Sequence, residues 1–148
     1  FENDGWHSMN IKFKRLPNGK GLPLPAHATP GAAGIDLCAA ESGVVRGDSK
    51  ITKVPTGFSI EIPYGFVGLV RSRSGLAFKN NVVAFHGTID SDFRGELMVG
   101  LTGAYRTFER GERIAQIVVV PVLRATIEEV TELSNTERGD GGFGSTGA

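Results

Sequence analysis

Two guanidiniums, two hydroxyls and a glycine fall in five consecutive residues, Arg71-Ser72-Arg73-Ser74-Gly75. Guanidinium forks match phosphate oxygens, and serine hydroxyls with free backbone N–H groups complete an anion cradle. Gly87-Thr88-Ile89-Asp90-Ser91-Asp92-Phe93-Arg94-Gly95-Glu96 reads as a β-hairpin whose tip carries two carboxylates and an aromatic ring. Such a pair can supply a general base, although aspartate also favours turns. Asp36 stands alone in Pro30-Gly31-Ala32-Ala33-Gly34-Ile35-Asp36-Leu37, a strand-like segment where its propensity is poor, which makes it a candidate metal or water ligand. Arg110-Gly111-Glu112-Arg113-Ile114-Ala115-Gln116 is a turn entering a strand, with Gln116 on the face opposite Ala115. Arg138–Gly147, RGDGGFGSTG, has glycines enough to lay backbone N–H groups on phosphates but lacks the Gly-Lys-Ser/Thr ending of a Walker A loop. Each patch alone also reads as a solvated strand end, a turn or a frayed tail. Together they supply two anion cradles, a base and an aromatic on a glycine-rich arm, a set that suits a nucleoside triphosphate.

The elements that must hold these groups are short strands. Ile11 and Phe13, then Ile35, Leu37 and Ala39, then Phe58, Ile60 and Ile62, then Leu97, Val99 and Leu101 alternate with polar or small residues, the period of half-buried strands. Val67–Val70, Val82–Phe85 and Ile117–Val120 are apolar runs of the kind buried strands show, and Gly or Pro clusters separate most of the segments. That pattern predicts an all-β sandwich or barrel. The exception is Ser74–Asn80, where a short helix with Ser74 at its N-cap is expected. The 148 residues fit one domain. Sixteen basic and sixteen acidic side chains cancel, which argues against a broad nucleic-acid footprint. The single cysteine, Cys38, excludes an internally disulfide-stapled secreted fold and is expected to be a small core residue in a reducing compartment. No apolar run approaches the roughly 18 residues of a membrane span. Residues 1–8 read as an expression scar, 9–133 as the β domain, and 134–148 as a Gly-rich arm too poor in apolar groups to order itself.

In this order, AGIDLCA, RSGLA, GTIDSDFRGE, RGERIAQ and RGDGGFGSTG resemble the five motifs of the trimeric dUTP pyrophosphatases (dUTPases), and the similarity spans residues 9–148. The resemblance implies a jelly-roll-like β subunit, a homotrimer with shared active sites, and an arm of one subunit closing over a site built by the other two. It implies hydrolysis of dUTP to dUMP and pyrophosphate, with Asp90 as the general base activating water for attack on the α-phosphorus. Arg73, Ser74, Gly75 and Gln116 correspond to phosphate-binding positions, and Asp36 to a carboxylate reaching Mg²⁺ through water, the ion being held mainly by the triphosphate. Backbone around Gly87, Thr88, Ile89 and Met98 is expected at the uracil edge, and Phe93 on the deoxyribose. In the arm, Phe143 is expected to stack on uracil, with Arg138, Ser145 and Thr146 gripping the γ-phosphate and Gly144 also binding substrate.

Three departures from the family pattern stand out: Phe93 replaces the usual tyrosine, Ser72 the usual proline, and Ala84 an asparagine that often contacts uracil. The dCTP deaminases share the fold but carry a catalytic glutamate at the position of Gly100, and glycine cannot do acid–base work. A non-enzymatic dUTP sensor would not need Asp90, and no surface for a regulatory protein partner is legible. No direct nucleic-acid or membrane binding is expected, and the location is expected to be cytoplasmic, or nuclear or mitochondrial in a eukaryote. Arg113 is expected in a structural ion pair, and Pro121 at a strand edge.

Overall fold

A computed structural model describes residues 9–142. Its strands are β1 (Lys12–Arg15), β2 (Ala26–His27), β3 (Ile35–Cys38), β4 (Gly43–Val45), β5 (Thr52–Glu61), β6 (Phe66–Arg71), β7 (Val82–Ala84), β8 (Thr88–Ile89), β9 (Glu96–Gly103), β10 (Arg106–Phe108) and β11 (Arg113–Pro121), with one α-helix, α1 (Ser74–Asn80), and a single 3-10 turn at Pro17–Gly19. They form a four-stranded sheet ordered β1-β5-β9-β7, a five-stranded sheet ordered β2-β3-β11-β6-β8, and a β10-β4 ribbon. Every pairing is antiparallel. The chain is all-β, as its alternation predicts.

The inward residues of all three sheets meet in one core. Ile35, Leu37, Val70 and Ile117 come from the five-stranded sheet, Val54, Ile60, Leu97, Val99 and Leu101 from the four-stranded one, and Val45 and Phe108 from the ribbon. Fully burying one such side chain contributes about 1.5–3 kcal/mol, so this shared cluster is what holds the sheets together. In β5 the ladder to β9 shifts register between Pro55 and Ser59, where Gly57 adopts φ +77°. A Cβ on Gly57 would collide with the backbone of Gly19, so the bulge and the turn at Pro17–Gly19 pack glycine against glycine. The carbonyl of Gly57 accepts a bond from the N–H of Leu16 at 2.9 Å, fixing that contact.

Four expectations are corrected. Residues 87–96 do not form a hairpin: β8 pairs with β6, β9 pairs with β5 and β7, and the intervening segment crosses from one sheet to the other. Inward Leu97, Val99 and Leu101 hold β9 in its own sheet, and a turn closed by Phe93 N–H to the Asp90 carbonyl, 3.1 Å, starts the crossing. Ser74 is the first helical residue and not the cap. Arg73 occupies the N-cap position in extended conformation, with no side-chain capping bond. The run Val82–Phe85 is buried on one side only, since Val83 and Phe85 are exposed. Cys38 is half-buried and faces away from the core, because inward Leu37 forces its neighbour outward.

Pro121 ends β11 opposite Phe66. Beyond it, residues 122–142 carry no helix or strand, and Leu123 and Ile127 are 98% and 94% exposed. No helix among the described residues is long and apolar enough to cross a membrane.

Candidate active site

The row Asp36, Gln116, Arg71 runs straight across β3, β11 and β6, since each is the ladder partner of the next. Partners in a ladder share a face, so these three side chains project from the same side of the sheet. Onto this row folds the segment after β6. Arg73 Nε lies 3.2 Å from Asp36 Oδ1, and Arg113 reaches Asp36 Oδ2 at 3.1 Å. Arg73 also donates to the Arg113 carbonyl at 3.3 Å. The carboxylate is largely shielded from solvent and shared by two guanidiniums, so the cluster keeps a net positive charge and holds Arg73 in one orientation. Arg113 makes the ion pair expected of it.

Gln116 donates from Nε2 to the Ser72 carbonyl at 3.0 Å. Its amide lies directly over Gly34, where any Cβ would fall on Gln116 Oε1, so a side chain at 34 would push Gln116 off this pose. His27 Nδ1 is 3.1 Å from the Gly34 carbonyl and ties down the same stretch. The turn feeding β11 is held by an Arg106–Glu112 ion pair and by Arg110, which donates to the carbonyls of Asn18 and Lys20. At the start of α1, the first intrahelical bond runs from Ala77 N–H to the Arg73 carbonyl, so the N–H groups of Ser74, Gly75 and Leu76 have no intrahelical acceptor. Arg73, Ser74, Gly75, Gln116 and Asp36 are therefore brought to one place.

Asp90 and Phe93 are brought to another. The Val70 N–H bonds the Gly87 carbonyl at 2.9 Å, and Thr88 and Ile89 lie opposite Leu69 and Gly68. The antiparallel run carries Asp90 past Gly68, away from Arg71. At roughly 3.3 Å per residue, Asp90 stands on the order of 13 Å along β6 from the cradle's root. Its side chain is exposed. Phe93 lies over Gly95, where a Cβ would meet the ring at 2.7 Å. Met98 is half-buried in β9, opposite Pro55. In the tail, Arg138 Nε donates to the Gly141 carbonyl at 2.8 Å. Phe143, Gly144, Ser145 and Thr146 lie outside the described residues, as do residues 1–8.

Among the described residues no three His, Cys, Asp or Glu side chains gather as a metal cluster. An ionised carboxylate offers about four lone-pair sites, and the arginine contacts at Asp36 leave acceptor capacity over. The donor set thus fits a hydrated divalent cation such as Mg²⁺. Beside Asp36, a cavity of about 210 Å³ is lined by His27, Asp36, Cys38, Phe58 and Arg113 among others. Burial, and secondarily the Asp36 charge, push the Cys38 thiol above its ordinary pKa, which suppresses the thiolate.

Sequence reasoning missed Ser72 as a structural junction. Its hydroxyl accepts a bond from the Ala84 N–H at 2.9 Å and donates to the Ala84 carbonyl at 3.4 Å. The available signal was a small hydroxyl residue between two arginines.

A dUTPase family model matches residues 20–147. The deoxyuridine 5'-triphosphate nucleotidohydrolase of Rhizobium etli strain CIAT 652 is 52% identical over 149 residues, covering 93% of this chain and 93% of that protein. The protein of the same description from Rhizobium meliloti strain 1021 is 51% identical over 155 residues, covering 99% and 96%. Among solved structures, the Staphylococcus bacteriophage 80alpha dUTPase with dUpNHpp is 29% identical, with a TM-score of 0.84 over 95% of this chain and 100% of that one.

Proposed function

The chain belongs to the dUTPase family and is a dUTP diphosphatase, and from that premise we propose that Asp90 drives attack of water on the α-phosphorus of dUTP. The carboxylate takes a proton from the water as its oxygen bonds to phosphorus. The bond from the α-phosphorus to the bridging oxygen breaks, and pyrophosphate leaves with that electron pair. The products are dUMP, available for thymidylate synthesis, and pyrophosphate. Removal of dUTP keeps uracil out of DNA.

Arg73, Ser74, Gly75 and Gln116 hold the phosphates and offset their charge, the principal work in phosphoryl transfer. Asp36 would hold Mg²⁺ through water. When bound, the ion neutralises triphosphate charge. Backbone at Gly87, Thr88, Ile89 and Met98 reads the uracil edge, and Phe93 packs on the deoxyribose where a 2′-hydroxyl would collide. Arg138, Phe143, Gly144, Ser145 and Thr146 belong to an arm, residues 134–148, that closes the site.

The observation that carries this reading is the register of β8 on β6. Within one chain the base and the cradle point to opposite ends of a strand. A productive site therefore needs Asp90 of one copy beside Arg73 of another, which supports a homotrimer with shared sites. The exposed apolar groups Val83 and Phe85 on one sheet, and Leu123, Ile127 and Leu133 beyond β11, suit the same assembly. The proposed location is cytoplasmic.

Pyrophosphate release from dUTP, dCTP, dTTP and UTP, with and without Mg²⁺, tests the reading. Release from dUTP alone, stimulated by Mg²⁺, is expected. Comparable release from UTP would remove Phe93 as a sugar gate, and indifference to Mg²⁺ would remove the ion.

A further inference from the structure

We infer that Ser72 is a positioning residue that sets the phosphate cradle of this chain, an inference that rests on the proposed roles of Arg73 and Gln116. β7 is an edge strand. Ala84 pairs with Leu101 across its inner side, and the next inner bond runs from the Phe85 N–H to the Gly100 carbonyl. The N–H and carbonyl of Ala84 thus point toward the open edge, yet the residue is only 3% exposed. Buried backbone groups without partners are costly, at about 1–3 kcal/mol each. The Ser72 hydroxyl meets both, acting as a one-atom substitute for a further strand.

The same residue faces the other sheet. Its carbonyl accepts the Gln116 amide, whose far side is pressed on Gly34. Ser72 therefore joins β7 of the four-stranded sheet to β11 of the five-stranded one. It immediately precedes Arg73, which is locked on Asp36. Two phosphate-binding side chains on different elements, Arg73 by chain adjacency and Gln116 by direct bond, take their positions from this one residue. A proline at this position would stiffen the chain by fixing φ, but would carry no hydroxyl. Here hydrogen bonding to β7 does that work.

The test uses the full chain with Ser72→Ala, Ser72→Thr and Gln116→Ala. It compares kcat and KM for dUTP, Kd for the analogue dUpNHpp, inhibition by deoxyuridine, and thermal midpoint. Ser72→Ala is expected to raise KM and the dUpNHpp Kd roughly tenfold with a smaller fall in kcat, because the cradle holds the bound triphosphate as well as the charge of the transition state. Ser72→Thr keeps the hydroxyl and is expected to stay within about twofold of the parent. Deoxyuridine, which carries no phosphate, is expected to inhibit all variants equally. Should Ser72→Ala unfold, Ser72→Cys, near in size and a poor hydrogen-bond partner, carries the same comparison.

An unchanged dUpNHpp Kd in Ser72→Ala, equal damage in Ser72→Thr, or a proportional loss of deoxyuridine inhibition would each overturn the positioning role. If Gln116→Ala binds dUpNHpp as the parent does, the cradle reading itself fails. If Gln116→Ala weakens binding and Ser72→Ala does not, only the role of Ser72 is lost.

Discussion

Asp90→Asn is expected to bind dUTP as the parent does and to lose roughly 10²–10⁴-fold in kcat, the range a positioned general base supplies. The substitution is close to isosteric, and the turn it sits in is closed by the backbone carbonyl of residue 90, which asparagine retains. The side chain is exposed and has no hydrogen bond or ion pair among the described residues, so the thermal midpoint is expected to stay within a degree or two. A loss of kcat with KM and stability intact is the signature of a group acting only in the transition state. Wild-type turnover by Asp90→Asn would withdraw the base assignment. Loss of binding in step with turnover would make Asp90 a substrate contact.

Removal of residues 138–148 is expected to leave the β domain folded and to lower kcat by at least about a hundredfold, the cost of losing positioning and water exclusion at the reacting phosphate. The described part of that segment bonds locally: Arg138 to Gly141, Gly141 N–H to the Arg138 carbonyl, and Gly139 N–H to Thr136. Among the described residues no hydrogen bond joins residues 138–142 to the core, so thermal unfolding monitored by circular dichroism is expected to change little. An unaltered kcat in the truncated chain would refute the closing arm. A collapse of the melting transition would show instead that the segment is part of the fold.

The strands were legible because alternation with period two survives even in short segments. Ile35 and Leu37 point inward, and Asp36 and Cys38 outward, as their pattern requires. That same pattern argued against a core position for Cys38; residue-type preference misled where periodicity was correct. The hairpin reading of residues 87–96 failed for a different reason. Two strand-like segments joined by a turn look alike whether they pair with each other or with strands distant in sequence. Only the partners Gly68 and Leu69 of β8 on one side, and Val54 and Ala84 of β9 on the other, reveal the crossing.

The cradle was legible in part. Arg73 and Gln116 carry chemistry that stands out in the sequence, and Asp36 is an unusual strand residue. What could not be read was how they are held. The meeting of Asp36, Arg73 and Arg113 depends on ladder register between β3 and β11, and the Ser72 junction depends on an edge left open by a strand of three residues. The first leaves no local trace, and the second only a small hydroxyl residue between two arginines. The separation of Asp90 from the cradle is likewise a matter of register, and it makes assembly part of the catalytic argument.

Attack of water on the α-phosphorus leaves solvent oxygen in one product only, and its position distinguishes the two possible phosphorus targets. In a single turnover of dUTP in ¹⁸O-water, the label is expected in dUMP alone, with unlabelled pyrophosphate. Label in pyrophosphate and none in dUMP would place the attack on the β-phosphorus and contradict the mechanism built on Asp90.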